Sequence, residues 1–254
     1  MSKSQQEFAA AHYGPRAADY VTSAVHAAGP DLDRMEALLR GRGAGVVLDL
    51  GCGGGHVSYR AAPHAGRVVA VDVTAEMLAQ VRAQAAARGL KNIETCKAAA
   101  ENLPFAEGSF DVVLSRFSAH HWQDLGAGLR EARRVLKPGG MALFTDTLTP
   151  AAAGLDSFLQ AMELLRDPSH MRNYSLAEWS AALGAAGFGV REAHMHQLPL
   201  EFASWIARTR TPEVMAAAIR ALQQGAPDAV KARFAIGPDG GFEIEVGSFL
   251  AVAL

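Results

Sequence analysis

The sequence predicts an α/β fold in which helices cover both faces of a parallel sheet. Short runs rich in valine, leucine and isoleucine alternate along the chain with longer segments of helical periodicity. Uninterrupted apolar runs are typical of strands buried on both faces, and their alternation with helices indicates parallel crossover connections. The first run, Val46–Leu50, passes directly into the glycines of Gly51–Gly55. A strand, a glycine turn and a helix in that order predict a nucleotide-binding corner.

The elements follow in a regular order after a helical N-terminal region. We predict one or two helices over residues 5–28 and a helix over residues 31–40 with Asp31 as its N-cap. The helices that alternate with the strands are predicted at residues 74–88, 125–136 and 176–186, and Pro138–Gly140 is predicted to stop the second of them. Strands are predicted at residues 46–50, 68–72, 93–97, 110–115, 141–145, 188–196 and 243–253.

Composition narrows the class of protein. The 254 residues are half hydrophobic, enough for one large domain, and the net charge of −2 with no long basic run argues against a nucleic-acid-binding protein. Two cysteines do not make a disulfide framework. The N-terminus is polar and no apolar stretch reaches membrane-spanning length, so we expect a soluble cytoplasmic protein that does not bind membranes.

The glycine turn distinguishes between nucleotide ligands. A dinucleotide fingerprint needs glycines at positions one, three and six, but counting from Gly51 the sixth residue is His56. The pattern here is Gly51-x-Gly53-x-Gly55 with Asp49 ahead of it. An acid at that place suits a cationic ligand better than a diphosphate. S-adenosylmethionine, which carries an ammonium and a sulfonium and no phosphate, fits the pattern.

A second apolar run ends at Asp72, 21 residues after Gly51, where a carboxylate can accept both ribose hydroxyls. At this point the chain resembles the class I S-adenosylmethionine-dependent methyltransferases, in the type 11 branch around the ubiquinone and menaquinone C-methyltransferases. Residues 117–222 also resemble an uncharacterised enterobacterial methyltransferase. The motifs that carry the family resemblance are Leu48–Gly55, Val71–Leu78, Ala100–Phe105, Ser109–Val113 and Arg134–Gly140.

The resemblance implies a Rossmann-like, doubly wound, seven-stranded sheet, mostly parallel with an antiparallel last strand, plus a helical cap. It implies a single domain over residues 1–254, with an N-terminal helical arm at 1–40 and a cofactor-binding half at 41–149. Cap insertions are expected at residues 150–174 and 201–234, over a small substrate. The second insertion could instead pack on another subunit, and we expect a monomer or a homodimer.

The resemblance also implies where the cofactor binds. The expected contacts are Asp49, Gly51, Cys52, Gly53, Gly55, Asp72, Val73, Met77, Ala99, Ala100, Glu101, Ser115, Phe117 and, from the arm, Tyr20. Asp49 either contacts the cofactor or orients the glycine loop, and both roles can hold together. Related chains usually carry an acid at the position of Ala99 that meets the adenine amino group. Here adenine would rely on backbone groups of Ala99 and Ala100, or on Glu101.

The segment after the fourth strand carries the candidate catalytic residues, because in this fold it passes beside the donor methyl. His120 and His121 are candidate general bases, since a neutral imidazole can take a proton at physiological pH. Alternatively, His121 and Trp122 cap the next helix and pack structurally. Arg116 either holds an acidic group of the substrate or pairs with a structural carboxylate.

Further candidates for contact with the substrate are Tyr13, Trp122, Asp146, Arg166 and His170. Tyr13 could instead only anchor the arm, and Arg166 and His170 could belong to a salt-bridged hinge. His194 and His196 share one face of a strand, but no third ligand is apparent, so no metal site is expected.

Together these observations predict a methyltransferase that moves a methyl group from S-adenosylmethionine to oxygen, nitrogen or carbon of a small, aromatic or partly apolar molecule. The products would be the methylated acceptor and S-adenosylhomocysteine. Three alternatives stay open: a protein that uses the cofactor without methylating, a methyltransferase with a macromolecular target, and an NAD-dependent oxidoreductase. The last conflicts with His56 in place of the third glycine.

Overall fold

The structure, a computed structural model, describes residues 4–16 and 27–254. Tyr20, an expected cofactor contact, lies outside these residues. The helices are α1 Gln5–Tyr13, α2 Pro30–Leu39, α3 His56–Ala61, α4 Ala75–Ala87, α5 Leu125–Val135, α6 Ala153–Arg166, α7 Leu176–Ala185, α8 Phe202–Arg208, α9 Glu213–Gly225 and α10 Asp228–Arg233. The strands are β1 Ala44–Leu50, β2 Ala65–Asp72, β3 Ile93–Lys97, β4 Phe110–Arg116, β5 Leu136–Leu148, β6 Phe188–Leu200 and β7 Phe242–Ala253.

The strands form one seven-stranded sheet in the order β3-β2-β1-β4-β5-β7-β6. Strands β1 to β5 pair in parallel, and β7 runs antiparallel to both of its neighbours, β5 and β6. The order reverses between β1 and β4, so the carboxyl ends of these central strands border a crevice where ligands bind in open α/β sheets. The predicted fold class is confirmed.

Helices cover both faces of the sheet, as the apolar runs predicted. On one face α5 and α7 pack through Leu129 and Trp179, and on the other α2 packs through Leu32 and Met35; all four side chains are almost completely buried. Because α2 packs in this core, the predicted arm of residues 1–40 does not form one unit: α2 belongs to the sheet's core, and α1 lies apart from it. Among the described residues of the arm, α1 lines the crevice, and its first turn is fixed by a capping box between Ser4 and Glu7.

Two local predictions are wrong. Gly29, not Asp31, occupies the N-cap position of α2, because the carboxylate of Asp31 is buried and paired with Arg116 of β4. Pro138–Gly140 do not stop a helix: α5 ends at Val135, and these residues lie within β5. There the register with β4 shifts, and Gly139 has a φ of +71°, so the segment is an irregularity of the strand in which proline and glycine are tolerated.

The two predicted insertions pack together on the extended ends of β6 and β7. Their shared apolar cluster joins α6, α8, α9 and the end of α10 to the sheet through Leu159, Met162, Trp205, Ile219, Phe234, Phe242 and Ile244. This cluster is separate from the two that flank the sheet, and we call the helices that form it the cap. No helix of the described chain is long and apolar enough to cross a membrane.

Candidate active site

One large cavity lies at the carboxyl ends of the central strands and reaches into the cap. The lining residues fall into two groups by the elements that carry them. The cofactor half is formed by the glycine loop and the residues that follow β2 and β3. The cap half is formed by α6, α8, the segment after α6 and the ends of β6 and β7.

The glycine loop begins where β1 ends, and each of its three spaced glycines has a positive φ. A Cβ on Gly51 would lie 1.7 Å from the hydroxyl oxygen of Ser118, so only glycine fits there. A Cβ on Gly53 would meet no protein atom within 4 Å, because this backbone faces the cavity. Gly55 does not line the cavity; with a φ of +84° it forms the N-cap of α3. The loop therefore leaves bare backbone for a ligand.

Asp72 stands at the end of β2, opposite this loop. Its Oδ2 accepts a hydrogen bond from the Gly53 amide at 2.9 Å, and its Oδ1 accepts one from the Thr74 amide at 2.8 Å. Burial raises the pKa of Asp72 although these amide donors oppose the rise. Each carboxylate oxygen keeps further acceptor capacity, so the side chain can bind hydroxyl groups from the cavity. The neighbouring wall is lined by Cys52, Val73, Met77, Ala98, Ala100, Glu101 and Phe117.

Besides Gly55, three further expected cofactor contacts do not line the cavity: Asp49, Ala99 and Ser115. Asp49 is buried and accepts a hydrogen bond from the Ser58 hydroxyl at 2.6 Å, while its Oδ1 has no hydrogen-bond partner. Burial raises the pKa of this carboxyl to about 7. Asp49 thus connects β1 to α3, which matches the structural role left open by the sequence.

Glu101 lines the cavity, but its carboxylate serves the helix that follows. Its Oε1 accepts hydrogen bonds from the amides of Gln123 and Asp124 at 2.7 and 3.4 Å, just ahead of α5. Since this carboxylate is already engaged, Ala100 offers the nearer backbone for recognition of a base at this wall.

His120 lines the cavity in the segment that follows β4. Its Nδ1 is 2.5 Å from Oδ1 of Asp146, and its backbone amide donates to Oδ2 of the same residue at 3.2 Å. Within the described residues no partner is recorded for Nε2. Burial alone would lower the pKa of His120, but the charge and hydrogen bond of Asp146 outweigh it, and the pKa is raised. Asp146 itself does not line the cavity.

The neighbouring His121 is held on both ring nitrogens. Its Nε2 lies 2.9 Å from the hydroxyl of Tyr13, and its Nδ1 lies 3.2 Å from the carbonyl oxygen of Ser169. The Tyr13 hydroxyl also donates to Asp167, so α1 is fastened to the segment after α6. Burial, followed by the charge of His120, lowers the pKa of His121 to about 4. His121 is therefore occupied on both ring nitrogens by α1 and the segment after α6.

Arg116 reaches the cavity wall, but its charge is satisfied by a structural partner. Its guanidinium pairs with the carboxylate of Asp31, and both side chains are buried. The guanidinium carbon also lies 4.7 Å from the centre of the Phe117 ring. The structure thus selects the pairing with a structural carboxylate over a free acid-binding arginine. Trp122 lines the cavity too, and its Nε1 donates to Ser118 at 3.0 Å.

The cap half contains the predicted Arg166 and several residues that the sequence did not single out. The added residues that line it are Thr147, Glu163, Asn173, Leu198, Leu200, Trp205, Arg208 and Ile244. The spacing of Trp205 and Arg208 on one face of a helix was the available signal for α8. His170 does not line the cavity; its Nε2 contacts Gln160 at 2.9 Å, and burial lowers its pKa to about 2.

Among the residues that the structure describes, no group of three or more histidine, cysteine or acidic side chains is arranged to hold a metal ion. His194 lies exposed on the edge strand β6, with its Nε2 3.3 Å from Glu192. The ionisable groups at the cavity are thus arranged as hydrogen-bonded pairs.

Comparison with known proteins agrees with this geometry. Residues 48–144 match the methyltransferase domain family Methyltransf_11. The chain is 47% identical over 192 residues to the uncharacterized protein YafE of Escherichia coli, covering 76% of this chain and 93% of YafE. It is 37% identical over 193 residues to the uncharacterized methyltransferase YcgJ of Bacillus subtilis, covering 76% of each.

Solved structures show the same fold. The crystal structure of YcgJ superposes with a TM-score of 0.84 at 32% identity, over 88% of this chain and 97% of YcgJ. The Bacillus halodurans protein BH2331 superposes with a TM-score of 0.85 at 31% identity, over 88% of this chain and 99% of that chain.

The sheet order, the glycine loop and Asp72 define a class I methyltransferase, an enzyme that uses S-adenosylmethionine. The chain belongs to the Methyltransf_11 methyltransferase family, together with YafE and YcgJ. The residues present fit this cofactor, because Gly53 leaves open backbone beside the half-buried carboxylate of Asp72.

Proposed function

We propose that the enzyme methylates oxygen, nitrogen or carbon of a small, partly apolar molecule bound in the cap half of the cavity. The observation that carries this proposal is His120 on the cavity wall, with its Nδ1 paired to Asp146 behind it. A base placed there can reach an acceptor that lies between the cofactor half and the cap. The apolar side chains of Leu198, Leu200 and Ile244 support an acceptor with an apolar body.

In this proposal the cofactor half binds S-adenosylmethionine through the glycine loop and Asp72. Asp72 would accept hydrogen bonds from the two ribose hydroxyls while it keeps the loop in place through Gly53. Met77, Ala98, Ala100 and Phe117 would enclose the adenine, with the backbone of Ala100 nearest to its polar edge. The bound sulfonium supplies an already activated methyl group.

The protein's main contribution to methyl transfer is to hold the acceptor in line with the methyl group. Such positioning supplies roughly 7–11 kcal/mol of the barrier reduction in well-oriented reactions. A base is needed only where the acceptor must lose a proton. His120 meets this need because Asp146 fixes its Nδ1 proton, which leaves Nε2 as the basic nitrogen. Its neighbour His121 is occupied on both nitrogens.

The cofactor assignment is tested by calorimetric titration of the full chain with S-adenosylmethionine, S-adenosylhomocysteine and NAD. Both sulfur ligands should bind and NAD should not. Asp72→Asn should weaken the binding of both sulfur ligands by about tenfold or more, since each lost charge-assisted hydrogen bond weakens binding by that order. Asp239→Asn, a change of an exposed acid outside the cavity, is the matched control. Binding of NAD without the sulfur ligands would contradict the assignment.

The role of His120 is tested by turnover, measured as release of S-adenosylhomocysteine with an acceptor found by screening small phenols, enols, acids and amines. His120→Asn should lower kcat by about 10²–10⁴-fold, the usual contribution of a general base, with unchanged binding of S-adenosylhomocysteine. His194→Asn, which changes an exposed histidine on β6, is the control. An unchanged kcat in His120→Asn would remove the base from the mechanism.

A further inference from the structure

The sheet contributes one hydroxyl and three apolar side chains to the cap half of the cavity. The residues of β5, β6 and β7 that line it there are Thr147, Leu198, Leu200 and Ile244. In the register of the sheet Thr147 lies opposite Val246, and Ile244 lies opposite Leu198. Residues that are opposite each other, or two apart on one strand, share a face of the sheet. The Thr147 hydroxyl therefore stands on the same face as the three apolar side chains.

The Thr147 hydroxyl lacks the cross-strand partner that its neighbour has. Thr145, two residues earlier on the same face, lies opposite Ser248, and the two hydroxyl oxygens are 2.8 Å apart. Thr147 instead lies opposite Val246, whose side chain has no polar atom. Within residues 4–16 and 27–254, the bond that fixes Thr147 comes from its backbone amide, which donates to Oδ1 of Asp146 at 2.8 Å, and its Oγ1 forms none.

This hydroxyl can be reached from the cavity. Thr147 is 6% exposed, and β5 is an interior strand between β4 and β7, so the surface that Thr147 keeps is the part that lines the cavity. A nearly buried hydroxyl without a protein partner is costly. A polar atom of the molecule that fills the cavity would remove this cost.

The charged side chains of the cap half are already engaged by the protein. Nη1 of Arg166 lies 3.3 Å from Oε2 of Glu163, and its Nε donates to the carbonyl oxygen of Trp205 at 3.0 Å. Arg208 likewise has a contact within the protein. Burying an additional ligand charge against an apolar wall costs far more than burying a neutral polar group. The wall therefore favours an electrically neutral ligand.

We propose that Thr147 determines specificity for the methyl acceptor, which is a neutral molecule with an apolar body and a carbonyl or hydroxyl oxygen that hydrogen-bonds to Oγ1 of Thr147. The apolar body lies against Leu198, Leu200 and Ile244. This rests on the proposed function, since it names the class of molecule that the methyltransferase accepts.

The test is calorimetric titration of the full chain, with and without S-adenosylhomocysteine, using four probes that share a phenyl ring. The probes are acetophenone, 1-phenylethanol, ethylbenzene and benzoate. Acetophenone or 1-phenylethanol should bind about threefold to tenfold more tightly than ethylbenzene, the order expected for one net hydrogen bond. Both should also bind more tightly than benzoate. Acetophenone only accepts hydrogen bonds, so the two oxygen probes distinguish a carbonyl from a hydroxyl ligand.

Variants of one strand locate the binding. Thr147→Val replaces the hydroxyl by a methyl group and should weaken the preferred oxygen probe about threefold to tenfold while ethylbenzene binds as before. Thr147→Ser keeps the hydroxyl and should keep the preference for that probe.

Thr145→Val is the matched control, because Thr145 lies on the same strand and face but outside the cavity. It should lower the midpoint of urea unfolding, since Ser248 loses its partner, and leave the preference among the probes unchanged. Thr147→Val should not lower the midpoint, because no bond within the described protein is lost.

The proposal is overturned if neither oxygen probe binds more tightly than ethylbenzene, if benzoate binds most tightly, or if Thr147→Val keeps the preference of the unmutated protein. Failure of the proposed function is distinct. It would appear as absent S-adenosylhomocysteine binding by the unmutated protein, or as an unchanged kcat in His120→Asn, while the preference for the oxygen probe persists.

Discussion

The ion pair between Asp31 and Arg116 allows a quantitative test of whether Arg116 is structural or catalytic. Asp31 lies on α2 and Arg116 at the end of β4, and their side chains are 3% and 4% exposed. Removing one partner from a buried pair leaves an uncompensated charge and costs about 3–5 kcal/mol of the free energy of unfolding. Asp31→Asn should therefore destabilise the fold by this amount.

Arg116→Met should cost at least as much, because the guanidinium also donates to the carbonyl oxygen of Ala28 at 3.3 Å and lies over the Phe117 ring. The double variant Asp31→Leu/Arg116→Met buries no charge, so its loss of stability should be well below the sum of the single losses. A coupling free energy of about 3 kcal/mol is expected from the cost of the stranded charge.

The assay is equilibrium unfolding in urea followed by tryptophan fluorescence, with calorimetric titration of S-adenosylhomocysteine on each folded variant. Asp33→Asn is the matched control, because Asp33 lies on the same helix but its pair with Arg60 is exposed. Exposed pairs contribute about 0–1 kcal/mol, so this change should be small. If Asp31→Asn costs less than about 1 kcal/mol and Arg116→Met abolishes turnover alone, the structural role is refuted.

Three further outcomes are expected. Gly53→Ala should weaken the binding of S-adenosylhomocysteine, measured by calorimetry, and should lower the free energy of unfolding by only about 1–2 kcal/mol. Gly51→Ala should destabilise the fold more than this, because its Cβ would lie 1.7 Å from the hydroxyl oxygen of Ser118. Asp146→Asn should shift the rising limb of the kcat/KM profile to lower pH, since the lost charge no longer raises the pKa of His120; an unshifted limb would contradict the pairing. Tyr13→Phe should speed amide hydrogen exchange across α1, because the hydroxyl that fastens this helix is lost; unchanged exchange would show that the fastening lies elsewhere.

The fold and the cofactor half could be predicted from the sequence because their signals are local. The strand of Val46–Leu50, the glycines after it and Asp72 each occupy a fixed place in one strand–turn–helix unit, and the structure keeps that order. Similarly, α5 begins at a side-chain cap, where Asp124 accepts from the Ala127 amide at 2.9 Å.

The residues that the sequence misplaced depend on contacts between distant segments. Asp31 has the pattern of a helix cap, but its partner Arg116 stands 85 residues away, and the buried guanidinium decides where the carboxylate points. Asn173 carried no motif at all. Its backbone is held by Gln160, and among the described residues its side-chain Nδ2 has no hydrogen-bond partner.

The two adjacent histidines show most directly why the catalytic side of the site could not be read from spacing. His120 and His121 carry the same sequence signal, yet Asp146 raises the pKa of the first while burial lowers that of the second to about 4. Each partner comes from a different element, β5 for one ring and α1 with the segment after α6 for the other. In the proposed mechanism, the general base must be basic and must be open to the acceptor. Of the two histidines, only His120 has a carboxylate on one ring nitrogen and keeps its second ring nitrogen available at the cavity wall.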